Sequence, residues 1–222
     1  MGKVVKILSI EHATHDVLHI TLEKPEGLSY IPGQAADIAI NKPGWETAWR
    51  SFTFTSLPED KHIEFNIKTY PAKKGVTNEL LTLKPGDELI VGDVYGDIAY
   101  KGEGIFIAGG AGITPFLAIL KSLEKDNKLG KNKLIFANKT KGDIINEEGF
   151  RKMLGDKFVN VLSDENVDGY EHGFVSKDLI QKHKSEGLDY VYLCAPPPMM
   201  DAMQKHLASL GVDEAHIVKE GF

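Results

Sequence analysis

The sequence predicts two domains: a small antiparallel β-barrel over residues 1–100, then an α/β domain built on a parallel sheet over residues 101–222. Three observations carry this reading. A chain of 222 residues has room for two domains at about 100–200 residues each. Its first hundred residues alternate in short apolar/polar segments broken by Pro-Gly turns, the pattern of half-buried strands. Beyond Lys101 the rhythm changes to continuous apolar runs separated by helical patterns, as in a sheet covered on both faces.

In the first half, Val4–Ile10 and Val17–Thr21 alternate, and Asp37–Ile40 follows the Pro32-Gly33 turn. Arg50–Ser56 alternates again, and Ile63–Thr69 and Glu88–Val91 complete six strands. Glu26-Gly27, Pro43-Gly44 and Pro85-Gly86 supply further turns, and one helix is predicted over Val76–Leu83. Six short strands with regular turns suggest closure into a barrel. In the second half, Ile105–Ala108, Lys133–Ala137, Phe158–Leu162 and Tyr190–Cys194 read as buried strands. Helices are predicted over Pro115–Lys125, Glu147–Leu154, Lys177–His183 and Met199–Leu210, and a last strand over His216–Val218.

Composition removes several function classes. Hydrophobic residues are 42% and charged residues 26%, which excludes disordered and low-complexity chains. The net charge is −6, and both halves are acidic: 10 basic against 14 acidic groups in residues 1–100, then 16 against 18. Nucleic-acid binders draw affinity from a basic surface, and neither half offers one. The single cysteine, Cys194, permits no intrachain disulfide, no zinc finger and no thiolate-held iron–sulfur cluster. Redox chemistry would need a bound organic cofactor. The N-terminus meets charge too early for a signal peptide, and Lys6 breaks the myristoylation pattern. The longest uncharged run, Gly104–Leu120, is 17 residues and is interrupted by glycines and Pro115. A soluble, cytoplasmic protein without membrane insertion is therefore expected.

Four segments can carry chemistry. Gly109-Gly110-Ala111-Gly112-Ile113-Thr114-Pro115 joins a buried strand to a helix. Glycines let backbone N–H groups approach a phosphate, although the same segment can serve as a plain turn. Arg50-Ser51-Phe52-Thr53 offers a guanidinium for a pyrophosphate, a ring for stacking and a hydroxyl for hydrogen bonding; Phe52 and Phe54 also suit simple core packing. Lys68 and the helix start Gly75-Val76-Thr77 form either a second phosphate cradle or an ordinary cap. Cys194-Ala195-Pro196-Pro197-Pro198-Met199-Met200 makes a rigid loop at a strand's C-terminal end, where parallel sheets bind ligands. His12, His15 and His19 lack an evident fourth ligand and read as a solvated group, so no metal is expected. No G-x-S-x-G elbow supports a Ser/His/Asp hydrolase.

Read in order, these segments resemble the ferredoxin–NAD(P)+ reductase superfamily along essentially the whole chain. The resemblance rests on Pro32-Gly33-Gln34, Arg50-x-Phe52-Thr53, Gly75-x-Thr77, Gly109-Gly110-x-Gly112-x-Thr114-Pro115, Cys194-x-Pro196-x-Pro198-Met199 and Glu220-x-Phe222. It implies a Greek-key barrel that binds flavin and an α/β domain that binds nicotinamide nucleotide. By position, Arg50 would hold the flavin pyrophosphate, Phe52 would lie against the flavin, and Thr53 would sit near its N5. Gly75 and Thr77 match the second phosphate-binding segment, which favours FAD over FMN. Gly109, Gly110, Gly112 and Thr114 would receive the dinucleotide, with Cys194 beside the nicotinamide. Glu220 matches the acidic residue of the hydride-transfer site, and Phe222 the terminal aromatic that covers the flavin.

The same resemblance implies hydride transfer between nicotinamide C4 and flavin N5, with Thr53 and Glu220 available to manage protons. NADPH-specific relatives carry a Ser-Arg pair where this chain has Ser163-Asp164-Glu165. Those carboxylates would repel a 2′-phosphate and accept hydrogen bonds from a ribose diol, which favours NADH. Lys139 could offset them. Without cysteines for a fused cluster, the electron acceptor should be external: ferredoxin, flavodoxin, a cytochrome or free flavin. A reductase of free flavin, a non-catalytic electron-transfer subunit and a non-redox nucleotide-binding module are the competing readings.

Overall fold

The computed structural model describes residues 2–184 and 187–220. The chain forms two compact units, Met1–Gly96 and Asp97–Phe222. The first contains β1 (Lys3–Thr14), β2 (Val17–Glu23), β3 (Ala35–Ile40), β4 (Arg50–Thr53), β5 (His62–Lys68), α1 (Val76–Glu79) and β6 (Glu88–Tyr95). Its strands form one antiparallel sheet in the order β4-β3-β6-β1-β2-β5. The sheet closes where the continuation of β4 reaches β5: Phe54 pairs with Phe65, and the Thr55 N–H donates to the Glu64 carbonyl at 2.8 Å. Ile7, Leu18, Ile20, Leu22, Ile38, Ile40, Phe54 and Phe65 fill the interior. The predicted turns at Gly27, Gly33, Gly44 and Gly86 all adopt positive φ, the conformation that only glycine adopts at little cost.

Two predicted elements in this unit are reshaped. The strand expected over Arg50–Ser56 stops its ladder at Thr53, because the chain there changes partner from β3 to β5. The helix expected over Val76–Leu83 is one α-turn followed by a 3₁₀ segment, Leu80–Thr82. No side chain caps its start at Gly75, and tight 3₁₀ geometry is common in such short pieces.

The second unit contains β7 (Gly104–Gly109), α2 (Thr114–Lys125), β8 (Lys133–Asn138), α3 (Glu147–Leu154), β9 (Phe158–Leu162), β10 (Glu171–His172), α4 (Lys177–His183), β11 (Tyr190–Cys194), α5 (Pro197–Ser209) and β12 (Ile217–Lys219). Every strand pairing is parallel, in the order β10-β9-β8-β7-β11-β12. All six residues of β7 are buried, which explains its unbroken apolar run. Gly104 is forced by packing: a Cβ there would lie 2.2 Å from the Tyr190 carbonyl oxygen. Phe106 stacks on Tyr192 at 4.2 Å, and the Tyr192 hydroxyl accepts from the Lys101 and Gly102 N–H groups.

From β7 the chain moves outward through β8, β9 and β10, then returns to place β11 and β12 on the other side. The order therefore reverses between β7 and β11, the point at which open parallel sheets bind ligands beyond their C-terminal strand ends. Among the described residues, no helix is long and apolar enough to cross a membrane.

Candidate active site

At the reversal point two loops interlock. The turn after β7 runs through a short 3₁₀ segment, Gly110–Ile113, into α2. The loop after β11 runs from Cys194 into α5, with prolines at the helix start. A Cβ on Gly112 would lie 2.1 Å from the Cys194 carbonyl oxygen and 2.6 Å from its carbon. One on Gly109 would lie 2.7 Å from the Met199 sulfur and 3.0 Å from the Ala195 Cβ. These two glycines permit loop-to-loop contact.

Gly110 differs. Its φ is +52°, and no atom lies within 4 Å of a Cβ built there. Its left-handed conformation leaves open space at the front of α2, which suits a phosphate approaching the helix N-terminus. Thr114 is buried, and its hydroxyl donates to the Ala111 carbonyl at 3.0 Å, closing the turn from behind. Pro196 is exposed and Met199 half-buried, so the outer wall of the loop pair is apolar and donor-poor.

Cys194 is 2% exposed. Leu193 pairs with Lys219 across β11 and β12, so Glu220 is one step beyond the ladder at the level of Cys194. Burial, then the nearby Glu220 charge, pushes the Cys194 thiol up to about 12. Burial, then Asp97, raises Glu220 above the ordinary carboxylate range. Both groups thus hold protons more tightly than usual. Glu220 opens onto a cavity of about 450 Å³ lined also by Asp97, Pro197, Met200, Asp201, Gln204 and Lys219.

The predicted specificity segment caps β9. The Ser163 hydroxyl donates to Asp164 at 2.6 Å, and the Glu165 carboxylate accepts the Lys141 N–H at 2.7 Å. Asp164 and Lys139 are both exposed, joined through the backbone by the Asp164 N–H to the Lys139 carbonyl at 2.9 Å. Gly173 bonds the Leu162 carbonyl, and the next residue, Phe174, is 86% exposed beside this segment. Phe174 escaped the sequence reading because β10 has only two residues, too few to show a period.

In the first unit, Arg50 and Ser51 are exposed on β4, while Phe52 and Thr53 are half-buried. The Arg50 guanidinium donates to the Trp49 carbonyl at 2.7 Å through one of its five N–H donors. Phe52 packs on the edge of the barrel core, whereas Phe54 is wholly within it. Gly75 is extended with open space where a Cβ would sit; Val76 behind it is buried, and Thr77 is half-buried. Lys68 is already engaged, with its ammonium 2.7 Å from Asp16. Burial raises the Asp16 carboxyl, but the Lys68 hydrogen bond and charge outweigh it and hold the group below its ordinary value. His12 pairs with Leu18 and His19 with Glu11, so the two rings project from opposite faces of the β1–β2 ribbon. Phe222 lies outside the described residues.

Comparison with known proteins gives a family match in each unit. Residues 3–88 match the FAD-binding domain family, and residues 106–205 match the oxidoreductase NAD-binding domain family. NADH-cytochrome b5 reductase 1 of Coccidioides immitis is 30% identical over 225 residues, 92% of this chain and 72% of that protein. The chain belongs to the ferredoxin–NAD(P)+ reductase superfamily. Its two matched segments are those of an FAD-binding domain and an NAD-binding domain. The reductase component of propane 2-monooxygenase from Rhodococcus jostii is 31% identical over 98% of the chain, but the chain spans only 62% of that relative. Among solved structures, the flavohem-like FAD/NAD-binding domain of nitric oxide dioxygenase from Vibrio cholerae superposes with a TM-score of 0.87 over 100% of this chain and 98% of that one, at 23% identity. The CS-b5R domains of human Ncb5or in the NAD+ form superpose at 0.85 over 100% and 69%, at 27% identity.

Proposed function

We propose that this reductase draws electrons from NADH and passes them through FAD to a separate one-electron carrier protein, a cytochrome or an iron–sulfur component. The observation that carries the reading is the interlocked pair of loops, Gly109–Thr114 and Cys194–Met199, with Glu220 beside Cys194. When bound, FAD supplies a ring that accepts a hydride and releases electrons singly.

The chain's own residues do the rest. Arg50 pairs with the FAD pyrophosphate, assisted by the open backbone at Gly75 and Thr77, while Phe52 and Thr53 face the ring. Ser51, Lys68 and Val76 shape that edge. Gly110 and the start of α2 take the nucleotide pyrophosphate, and Gly112 and Thr114 fix the turn. Pro196 and Met199 exclude water from the nicotinamide. Cys194 stays a neutral thiol at physiological pH and presents no competing charge, while Glu220 holds or moves a proton. The acceptor reading is supported by relatives named as a monooxygenase reductase component and as cytochrome b5 reductases.

Asp164 sets the nucleotide preference by bonding the ribose diol, and Phe174 offers its exposed face to the adenine. The purified protein should carry flavin absorbance and retain it through gel filtration. Its kcat/KM should favour NADH over NADPH by at least tenfold, about 1.4 kcal/mol. Asp164→Ser should bring that ratio towards unity, and Phe174→Ala should raise KM for NADH with little change in kcat. A tenfold NADPH preference in the parent protein would overturn the assignment of Asp164.

A further inference from the structure

Glu220 follows β12, a three-residue edge strand whose one neighbour is β11. So short a ladder fixes its own end weakly. Lys219, its last residue, reaches out of it to two other elements. Its ammonium donates to the Gln204 amide oxygen on α5 at 2.9 Å, and it pairs with Glu214 in the 3₁₀ turn that precedes β12.

These contacts are unequal. The Glu214 side chain is 72% exposed, so water and salt screen that pair. The Gln204 contact is partly buried, and Gln204 is further fixed by donating to the Met200 carbonyl at 3.4 Å. The helix that carries Gln204 begins at Pro197, three residues after Cys194. Lys219 therefore joins the end of β12 to the helix whose leading loop carries Cys194, and Gln204, Lys219 and Glu220 line one cavity.

We infer that Lys219 is a positioning residue that ties the end of β12 to α5 through Gln204 and thereby holds Glu220 beside Cys194. Two of the three ammonium donors are thus engaged, one of them in this tie. The inference rests on the proposed role of Glu220 in proton handling.

The test uses the flavin-loaded protein and its Lys219→Met, Lys219→Arg, Gln204→Leu, Glu220→Gln and Lys219→Met/Glu220→Gln forms. Two quantities are read: the single-turnover rate of flavin reduction by NADH with its KM, and the rate at which iodoacetamide alkylates Cys194. Small displacements of reacting groups are costly, so Lys219→Met should slow reduction about tenfold while leaving KM within about twofold. Gln204→Leu should do the same, and Lys219→Arg should restore most of the rate. In the Glu220→Gln background, Lys219→Met should add nothing further. Alkylation should quicken in Lys219→Met as it does in Glu220→Gln, because the carboxylate leaves the thiol's side. Additive losses in the double form, or unchanged reduction and alkylation in both Lys219→Met and Gln204→Leu, would overturn the inference. If Lys219→Met does not fold, Gln204→Leu carries the same comparison. Should Glu220→Gln leave reduction unaltered, the proton-handling role fails; alkylation still decides whether Lys219 places the carboxylate.

Discussion

Gly112→Ala is expected to cost at least tenfold in kcat/KM for NADH and to lower stability by about 1–3 kcal/mol, the usual range for overpacking. The added methyl would sit 2.1 Å from the Cys194 carbonyl oxygen. Both sides of the contact are main chain, at the ends of two neighbouring parallel strands, so neither can swing aside as a side-chain tip would. Relief requires the loops to separate, and separation moves the start of α2 and the Cys194 loop together. Gly110→Ala is the internal control. No atom lies within 4 Å of its Cβ position, and the cost is that of holding alanine at φ +52°, about 1 kcal/mol. Thermal unfolding and NADH titration of both variants check the contrast. Equal effects would show that glycine is needed here for backbone conformation alone. Retention of parent affinity by Gly112→Ala would remove the loop pair from the nucleotide site.

That contrast marks where sequence reasoning stopped. The pattern Gly109-Gly110-x-Gly112 is visible in the chain, but it does not say which glycine needs a positive φ and which needs a close neighbour. The second depends on Cys194, 82 positions away, and emerges only when β7 and β11 pair. Short, mostly buried parallel strands were the most legible elements: β9 and β11, and the helices α3 and α4, begin and end where the apolar pattern puts them. Each is a single run bounded by polar or turn residues, so period and length agree. The barrel was less legible where a strand changes partner. Arg50–Ser56 alternates throughout, yet pairing passes from β3 to β5 after Thr53, and alternation records only which side is buried. The cavity beside Glu220 left no trace in any window. Asp97, Gln204 and Lys219 come from a connecting segment, a helix and an edge strand, and each reads locally as a solvated polar residue.

Cys194 should react with thiol reagents in the folded protein about a thousandfold more slowly at pH 8 than in the unfolded chain, counting thiolate supply alone. Folding and the thiol proton are linked. Burial, then the Glu220 charge, raises the thiol from 9.0 to about 12 on folding. A group with a raised folded value adds nothing adverse below its unfolded value, so stability is full below pH 9. Between pH 9 and 12 the unfolded chain releases this proton and the folded one does not, so stability falls as pH rises. The loss has an upper bound of about 4 kcal/mol at about 1.4 kcal/mol per pH unit. Tyr30 and Tyr192, each pushed up to about 12 chiefly by burial, act with the same sign from pH 10 upward. Denaturant unfolding at pH 8, 9, 10 and 11 separates the contributions. Cys194→Ala should remove most of the decline just above pH 9, where the tyrosines are still largely protonated in both states, and leave the steeper part above pH 10. If the parent and Cys194→Ala decline in parallel from pH 9, the thiol is not the group that titrates on unfolding. Because Glu220 contributes to the shift, Glu220→Gln should move the onset of thiol reactivity to lower pH, whereas a residue far from Cys194 would leave it in place. The same neutral thiol that resists alkylation would keep negative charge away from a nicotinamide bound at the C-terminal end of β11, where Cys194 is buried.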